Sequence, residues 1–367
     1  MTRIAAILLS VASALPLFAQ SQVTVRQLQD YLLSSRARAE SDADLARQLS
    51  SVQLVEQLSD SRLATLSSRL RIGPLAAEQV ALLAAASVFE APPPADLPAE
   101  PPPDALQQNR ILQAVRDYAS SSARRLPDFL ATRSTHSYNN ALQLVGKRHP
   151  QPRMAMHFVG AFQHQVTVRS GQEVPLAPGG SSGSPSSRVA GMTTWGEFGP
   201  LLSTVLGDAQ AGSIAWSRWQ YGDGGALLTV FHYSVPKPAS HDLINLDPDL
   251  NVLDDPRAPR ASPFRDHPAY HGDLYVNAAT GAVVRITLEA ELAPDAPVLL
   301  SQLAVEYAPV EIGGRTYTCP VRGIAVSVAH NPEMEAIEDG GPERFLNLVR
   351  FTDYHKFAST SRIVANN

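Results

Sequence analysis

The sequence predicts an α+β protein: an N-terminal helical module, then an antiparallel β half-barrel or curved sheet covered by one or two helices. Three observations carry this expectation. Apolar residues recur at spacings of three and four as far as Phe89. Residues 91–103 hold seven of the chain's 29 prolines. Beyond Arg153 the apolar residues alternate in short runs separated by Gly, Pro, Asn and Asp. With 367 residues and 44% hydrophobic content, the chain is long enough for about two domains with real cores. A net charge of −5 with no basic stripe excludes a general nucleic-acid binder. One cysteine, Cys319, excludes an intrachain disulfide framework and a cysteine-rich metal site.

Residues 1–19 read as a cleaved signal peptide. Arg3 supplies the positive start, Ile4 to Leu15 the apolar stretch, and Pro16 breaks the helix before the small residue Ala19. About 20 apolar residues are needed to cross a bilayer, and this run is shorter. No cysteine follows the stretch, so lipid anchoring there is excluded and a periplasmic or secreted chain without a transmembrane anchor is expected.

Residues 20–90 follow as the helical module. Leu28, Tyr31 and Leu32 form one stripe. Ser41 with Asp44 marks a helix start, and Leu45, Leu49, Val52, Val55 and Leu58 continue a second stripe as one helix. Ser59-Asp60 opens a third, carrying Leu63, Leu66 and Leu70 and stopped at Gly73-Pro74. The alanine-rich stretch from Leu75 to Phe89 has few charges, so most of its surface is expected to be buried. Residues 91–103 are an extended proline-rich linker, because no helix or central strand survives that proline density. Residues 104–367 form the remaining domain, opening with a helix from Asp104 that bears Ile111, Leu112, Val115 and Tyr118 and ends before Pro127.

Within that domain, residues 165–169 read as a strand and residues 195–206 as a short amphipathic helix. Residues 213–221 and 226–235 form a hairpin around Gly222 to Gly225. In residues 283–292 the alternation places Val284, Ile286, Leu288 and Leu292 on one face, with Arg285, Thr287, Glu289 and Glu291 on the other. Gly313-Gly314 is a two-residue hairpin signal leading into a strand from Tyr317. Residues 236–268, with seven more prolines, read as an exposed insertion.

Candidate chemistry is sparse. Residues 179–183 match G-x-S-x-G, but Pro178 and Pro185 flank a flexible stretch where a strand and a helix are required. Ser234-x-x-Lys237 is crossed by Pro236. Asp247, Asp249 and Asn251 begin like a calcium loop, yet Val252 and Ala258 stand where it needs glycine and glutamate. His267, His271 and Asp273 are the densest set of possible metal ligands, although Pro268 and Gly272 oppose the helix that would converge them. They read either as a metal site or as ordinary hydrogen-bonded side chains. Trp195, Trp216, Phe231, Ile286 and Leu288 are the candidate lining of an apolar ligand site, or else core. Trp216 and Trp219, three apart in a strand, are expected on opposite faces. No cofactor fingerprint occurs, so no cofactor and no catalytic residue is expected.

Residues 272–286 (GDLYVNAATGAVVRI), Val305 to Tyr307, residues 312–320 (IGGRTYTCP) and Phe351-x-x-Tyr354-x-x-Phe357 together resemble the sheet of periplasmic lipoprotein-carrier proteins. The likeness covers roughly residues 153–363 and implies a half-barrel with a helix-covered apolar face. It carries over no individual functional residue. The whole chain, including Leu45 to Leu58 and residues 231–236 (FHYSVP), also resembles exported acidobacterial proteins of unknown function. The leading expectation is therefore an exported, non-enzymatic binding protein carrying a lipid, acyl chain or lipoprotein. Alternatives are an envelope scaffold that reaches a protein partner through the helical module, and a metal-dependent hydrolase built on the 266–273 cluster.

Overall fold

The computed structural model describes residues 21–70, 72–141, 143–145, 151–153, 155–169, 172–174, 200–246, 264–336 and 341–356. The signal-peptide stretch, Trp195, the G-x-S-x-G match, residues 247–251 and Phe357 lie outside them.

The N-terminal module opens with strand β1 (Ser21–Val23) and helix α1 (Val25–Ala37). A capping box starts α1: Gln27 N–H donates to the Thr24 hydroxyl while Thr24 N–H donates to the Gln27 side chain. Helix α2 (Asp42–Leu49) starts at Ser41, whose hydroxyl accepts from Asp44 N–H. It does not run on through Val52 and Leu58 as the spacing predicts. Strand β2 (Val52–Leu54) pairs in parallel with β1 instead, because two consecutive serines end the helix and a strand partner is at hand. Helix α3 (Asp60–Leu70) and helix α4 (Pro74–Ala86) complete the module. Asp42 accepts from the N–H groups of Leu75 and Ala76, so a residue of α2 caps α4. Leu28, Leu32, Leu49, Leu58 and Val80 form the module's own core, and burying each contributes about 1.5–3 kcal/mol.

Helix α5 (Ala105–Arg125) precedes strand β3 (Phe129–Asn139), then the short pair β4 (Gln143–Val145) and β5 (Gln151–Arg153), β6 (His157–Arg169) and β7 (Gln172–Val174). Helix α6 (Pro200–Asp208), β8 (Ser213–Tyr221) and β9 (Leu227–Val235) follow. The 236–268 insertion contributes the pair β10 (Ile244–Leu246) and β11 (Phe264–Asp266). Strands β12 (Ala269–Asn277), β13 (Val283–Glu291), β14 (Val298–Ile312) and β15 (Arg315–Ala329), the single turn α7 (Pro332–Glu335) and β16 (Glu343–Lys356) finish the described chain.

Ten of these strands form one antiparallel sheet in the order β7-β6-β3-β16-β15-β14-β13-β12-β9-β8. It is open, with β7 and β8 at its edges, so the fold is α+β with a curved sheet and covering helices, not a closed barrel. The β14–β15 hairpin turns at Gly313 (φ 60°) and Gly314 (φ 79°), two positive values that glycine adopts without strain. Helices α5 and α6 cover one face, here called inner: Ile111, Val115, Leu202 and Val205 pack on Phe231, Tyr270, Leu274, Ile286 and Val305. The module covers part of the outer face through α4 and the turn that follows it, where Leu82, Ala85 and Val88 meet Ala304, Ile324, Val326 and Leu346.

Two β-bulges change which residues face inward. One lies between Trp216 and Arg218, so Trp216 pairs with Phe231 and Trp219 with Thr229 on the same inner face. The rings meet edge to face at 6.3 Å instead of pointing apart. The other lies opposite the Tyr275–Val276 step and turns Val283 inward, while Val284 packs outward with Leu228, Val230 and Tyr275. Strand β3 was not expected. Its inward positions include Arg133, Thr135 and Ser137, which hide the apolar alternation.

Residues 91–103 lie on the folded protein. Gln57 N–H donates to Ala91 O, Arg62 pairs with Asp96, and the Trp219 indole donates to Pro101 O at 2.8 Å.

The β12–β13 ladder opens at Gly272. Tyr233, from β9, reaches across β12 to donate its hydroxyl to Thr287 O at 2.6 Å, and Asp273 N–H donates to the Thr287 hydroxyl. A Cβ at Gly272 would lie 1.9 Å from Thr287 O and 2.8 Å from the Tyr233 hydroxyl. Gly272→Ala is expected to cost about 1–3 kcal/mol of stability, read as a lower urea midpoint at unchanged slope.

Candidate functional site

The side chains expected to line a ligand site occupy the inner face. Phe231, Ile286 and Leu288 are buried there in one cluster with α5 and α6. Trp216 packs at the margin of that cluster with its indole N–H buried and unpaired among the described residues. These residues hold the helices on the sheet.

The histidine–aspartate cluster is dispersed. His267 precedes β12 and its Nδ1 contacts Asp242 O at 2.7 Å. His271 lies within β12, and four residues of extended chain separate the two by about 13 Å. His271 is 3.4 Å from Glu291, and Asp273 is committed to Arg218 at 3.0 Å and His232 at 2.9 Å. Among the described residues no three His, Cys, Asp or Glu side chains converge to hold a metal ion.

Asp273 belongs to a row of charges across the outer face. Arg218 and Arg285 stack on the Tyr275 ring at 5.7 and 5.1 Å, Arg285 pairs with Glu306 at 2.9 Å, and Glu306 faces Arg322 at 3.6 Å. Arg322 also reaches Asp60 of α3 at 3.1 Å. The row therefore ties the module to the sheet, and its carboxylates are occupied by structural partners.

A different site lies where α4 meets the sheet. Alanines on α4 let the helix approach both the module core and the sheet, and between those two contacts a cavity of about 170 Å³ remains. Leu49 and Leu54 of the module, Leu82, Leu83 and Ala86 of α4, and Leu300, Val326 and Leu346 of the sheet form its apolar wall. Gln79 closes one side by donating to Met156 O at 3.3 Å. Gln302 is tied to Glu289 at 2.7 Å.

Two ionisable side chains enter this wall. Arg344 projects from β16 in phase with Leu346, and burial pulls its pKa down. Its backbone is pinned by Asn140, which accepts from Arg344 N–H at 2.7 Å and donates to Arg344 O at 3.2 Å. Glu90 enters from the chain just beyond the single turn Ser87–Phe89; burial raises its carboxyl pKa and the nearby Glu289 charge raises it further. Sequence reasoning missed both. The available signal was phase: Arg344 shares its parity with Leu346 and Leu348, and Glu90 follows an apolar helix directly.

Because the folded Glu90 pKa is raised, its contribution to stability is complete below the unfolded value and is lost as pH rises through the folded one. Glu90→Gln is therefore expected to gain stability relative to the native chain between pH 4 and pH 7, and paired urea titrations across that range measure the difference. In comparisons with family models, curated proteins and solved structures, the chain matches none.

Proposed function

We propose that this chain is an exported, non-enzymatic binding protein that takes an acyl-type ligand in the cavity between α4 and the outer face of the sheet. The observation that carries the reading is that cavity: an apolar wall built from three separate parts of the fold, with few polar groups entering it. Export rests on the residue pattern of positions 1–19, and no helix among the described residues is long and apolar enough to cross a membrane. The reading keeps the class of ligand suggested by the likeness to lipoprotein carriers and moves the site. On the inner face, Phe231, Ile286 and Leu288 are taken up by α5 and α6.

The scaffold alternative has less support. The apolar stripes of the module that would seize a partner helix form its own core, and α4 is already docked on the sheet.

The test is native mass spectrometry of the delipidated full chain incubated with decanoate and decanol. One-to-one adducts are expected with at least one of them. Ala86→Phe, which puts a ring into the cavity from a half-buried helix position, is expected to weaken them by about tenfold or more. Equal adducts in native and variant protein would place the ligand elsewhere.

A further inference from the structure

Arg38, Arg47, Arg62, Arg218, Arg285 and Arg322 each face a carboxylate, whereas Arg344 lines the cavity. Among the described residues the Arg344 guanidinium has neither an ion pair nor a hydrogen-bond partner, and desolvation alone accounts for its lowered pKa. A guanidinium stays protonated in a protein, so the cavity wall carries a fixed, half-buried positive charge that no carboxylate among the described residues neutralises. Its backbone is anchored on both sides by Asn140, so the charge is presented from a rigid strand.

We propose that Arg344 receives the carboxylate of a single-chain amphiphile, so that the ligand of the α4 cavity is a medium-chain monocarboxylate. This rests on the cavity reading given above and names its ligand class. The planar fork of the guanidinium matches a carboxylate with two parallel hydrogen bonds, and the apolar body then meets Leu82, Leu300 and Leu346. Size limits the chain: about 170 Å³ is below the roughly 300–1,000 Å³ of pockets for larger ligands, and a diacyl lipid does not fit. Charge limits the head. Glu90 also lines the cavity, its charge environment is set by Glu289 and not by Arg344, and a second negative charge on the ligand would meet this acidic pair.

The test measures affinity of the delipidated full chain for decanoate, its neutral counterpart decanol, and decyl phosphate by calorimetry. The native chain is expected to bind decanoate at least about tenfold tighter than decanol, with decyl phosphate weaker than decanoate. Arg344→Met should bring decanoate to the decanol level while decanol affinity holds. Arg344→Lys, which keeps the charge and loses the fork, should fall between. Since the half-buried guanidinium has no partner among the described residues, Arg344→Met is also expected to raise the thermal midpoint of the ligand-free protein.

Equal binding of decanoate and decanol by the native chain would overturn carboxylate recognition and leave the cavity reading standing. Tighter binding of decyl phosphate would overturn the monocarboxylate assignment in favour of a phosphate head. Absence of all binding would remove both this inference and the cavity reading. A lower midpoint for Arg344→Met, with the decanoate preference intact, would show that the guanidinium serves packing instead.

Discussion

A ten-stranded open sheet with apolar residues on both faces must be covered twice, and most of this architecture follows from that requirement. On the inner face, the apolar side chains of β9, β12 and β13 are met by α5 and α6. The outer face is divided. Across β14, β15 and β16 it presents Ala304, Ile324, Val326 and Leu346, and α4 lies on them. Across β8, β12 and β13 the same parity carries Arg218, Asp273 and Arg285; Arg218 pairs with Asp273 and Arg285 with Glu306 of β14, so this part needs less cover. Asp60 stands at the boundary, where the charged row meets the module. The alanine-rich composition of α4 is the local answer to this demand, since a helix buried against two neighbours has no room for a polar stripe.

Because the module lies on one face and α5 on the other, the chain between them has to change sides. Residues 91–103 do this beside β8: Gln220 meets Gln57 of the module, while its neighbour Trp219, on the opposite face, donates to Pro101. The segment thus acts as a strap over the end of the sheet. Prolines suit the route, since they hold an extended path and offer no N–H to an exposed strand edge.

Much of the fold class was legible because both periodicities are strong: three-and-four spacing before the prolines and alternation after residue 213. Parity was the less reliable part. Counting in twos assigned Val284 inward and set Trp216 against Trp219, and each error came from one bulge, which shifts the count without a mark in composition. Strand β3 escaped for another reason. Its inward positions are filled by Arg133, Thr135 and Ser137, so burial there is polar and the apolar pattern is absent. The helix assigned through Val52 to Leu58 shows the reverse error, where correct spacing was overruled by a tertiary partner, β1. The cavity could not be read at all. It is framed by α2, α4 and β14 to β16, segments brought together only by the finished fold.

The pairing of β3 with β16 brings together residues as far apart as Phe129 and Lys356, 227 positions along the chain. Contacts of that separation carry a large loop-closure cost. The module and the β8–β9 and β12–β15 hairpins hold mostly local contacts, whereas β16 joins β3 to β15. Arg344 and Leu346 ride on that joining strand. The cavity wall is therefore completed by the same strand that completes the sheet.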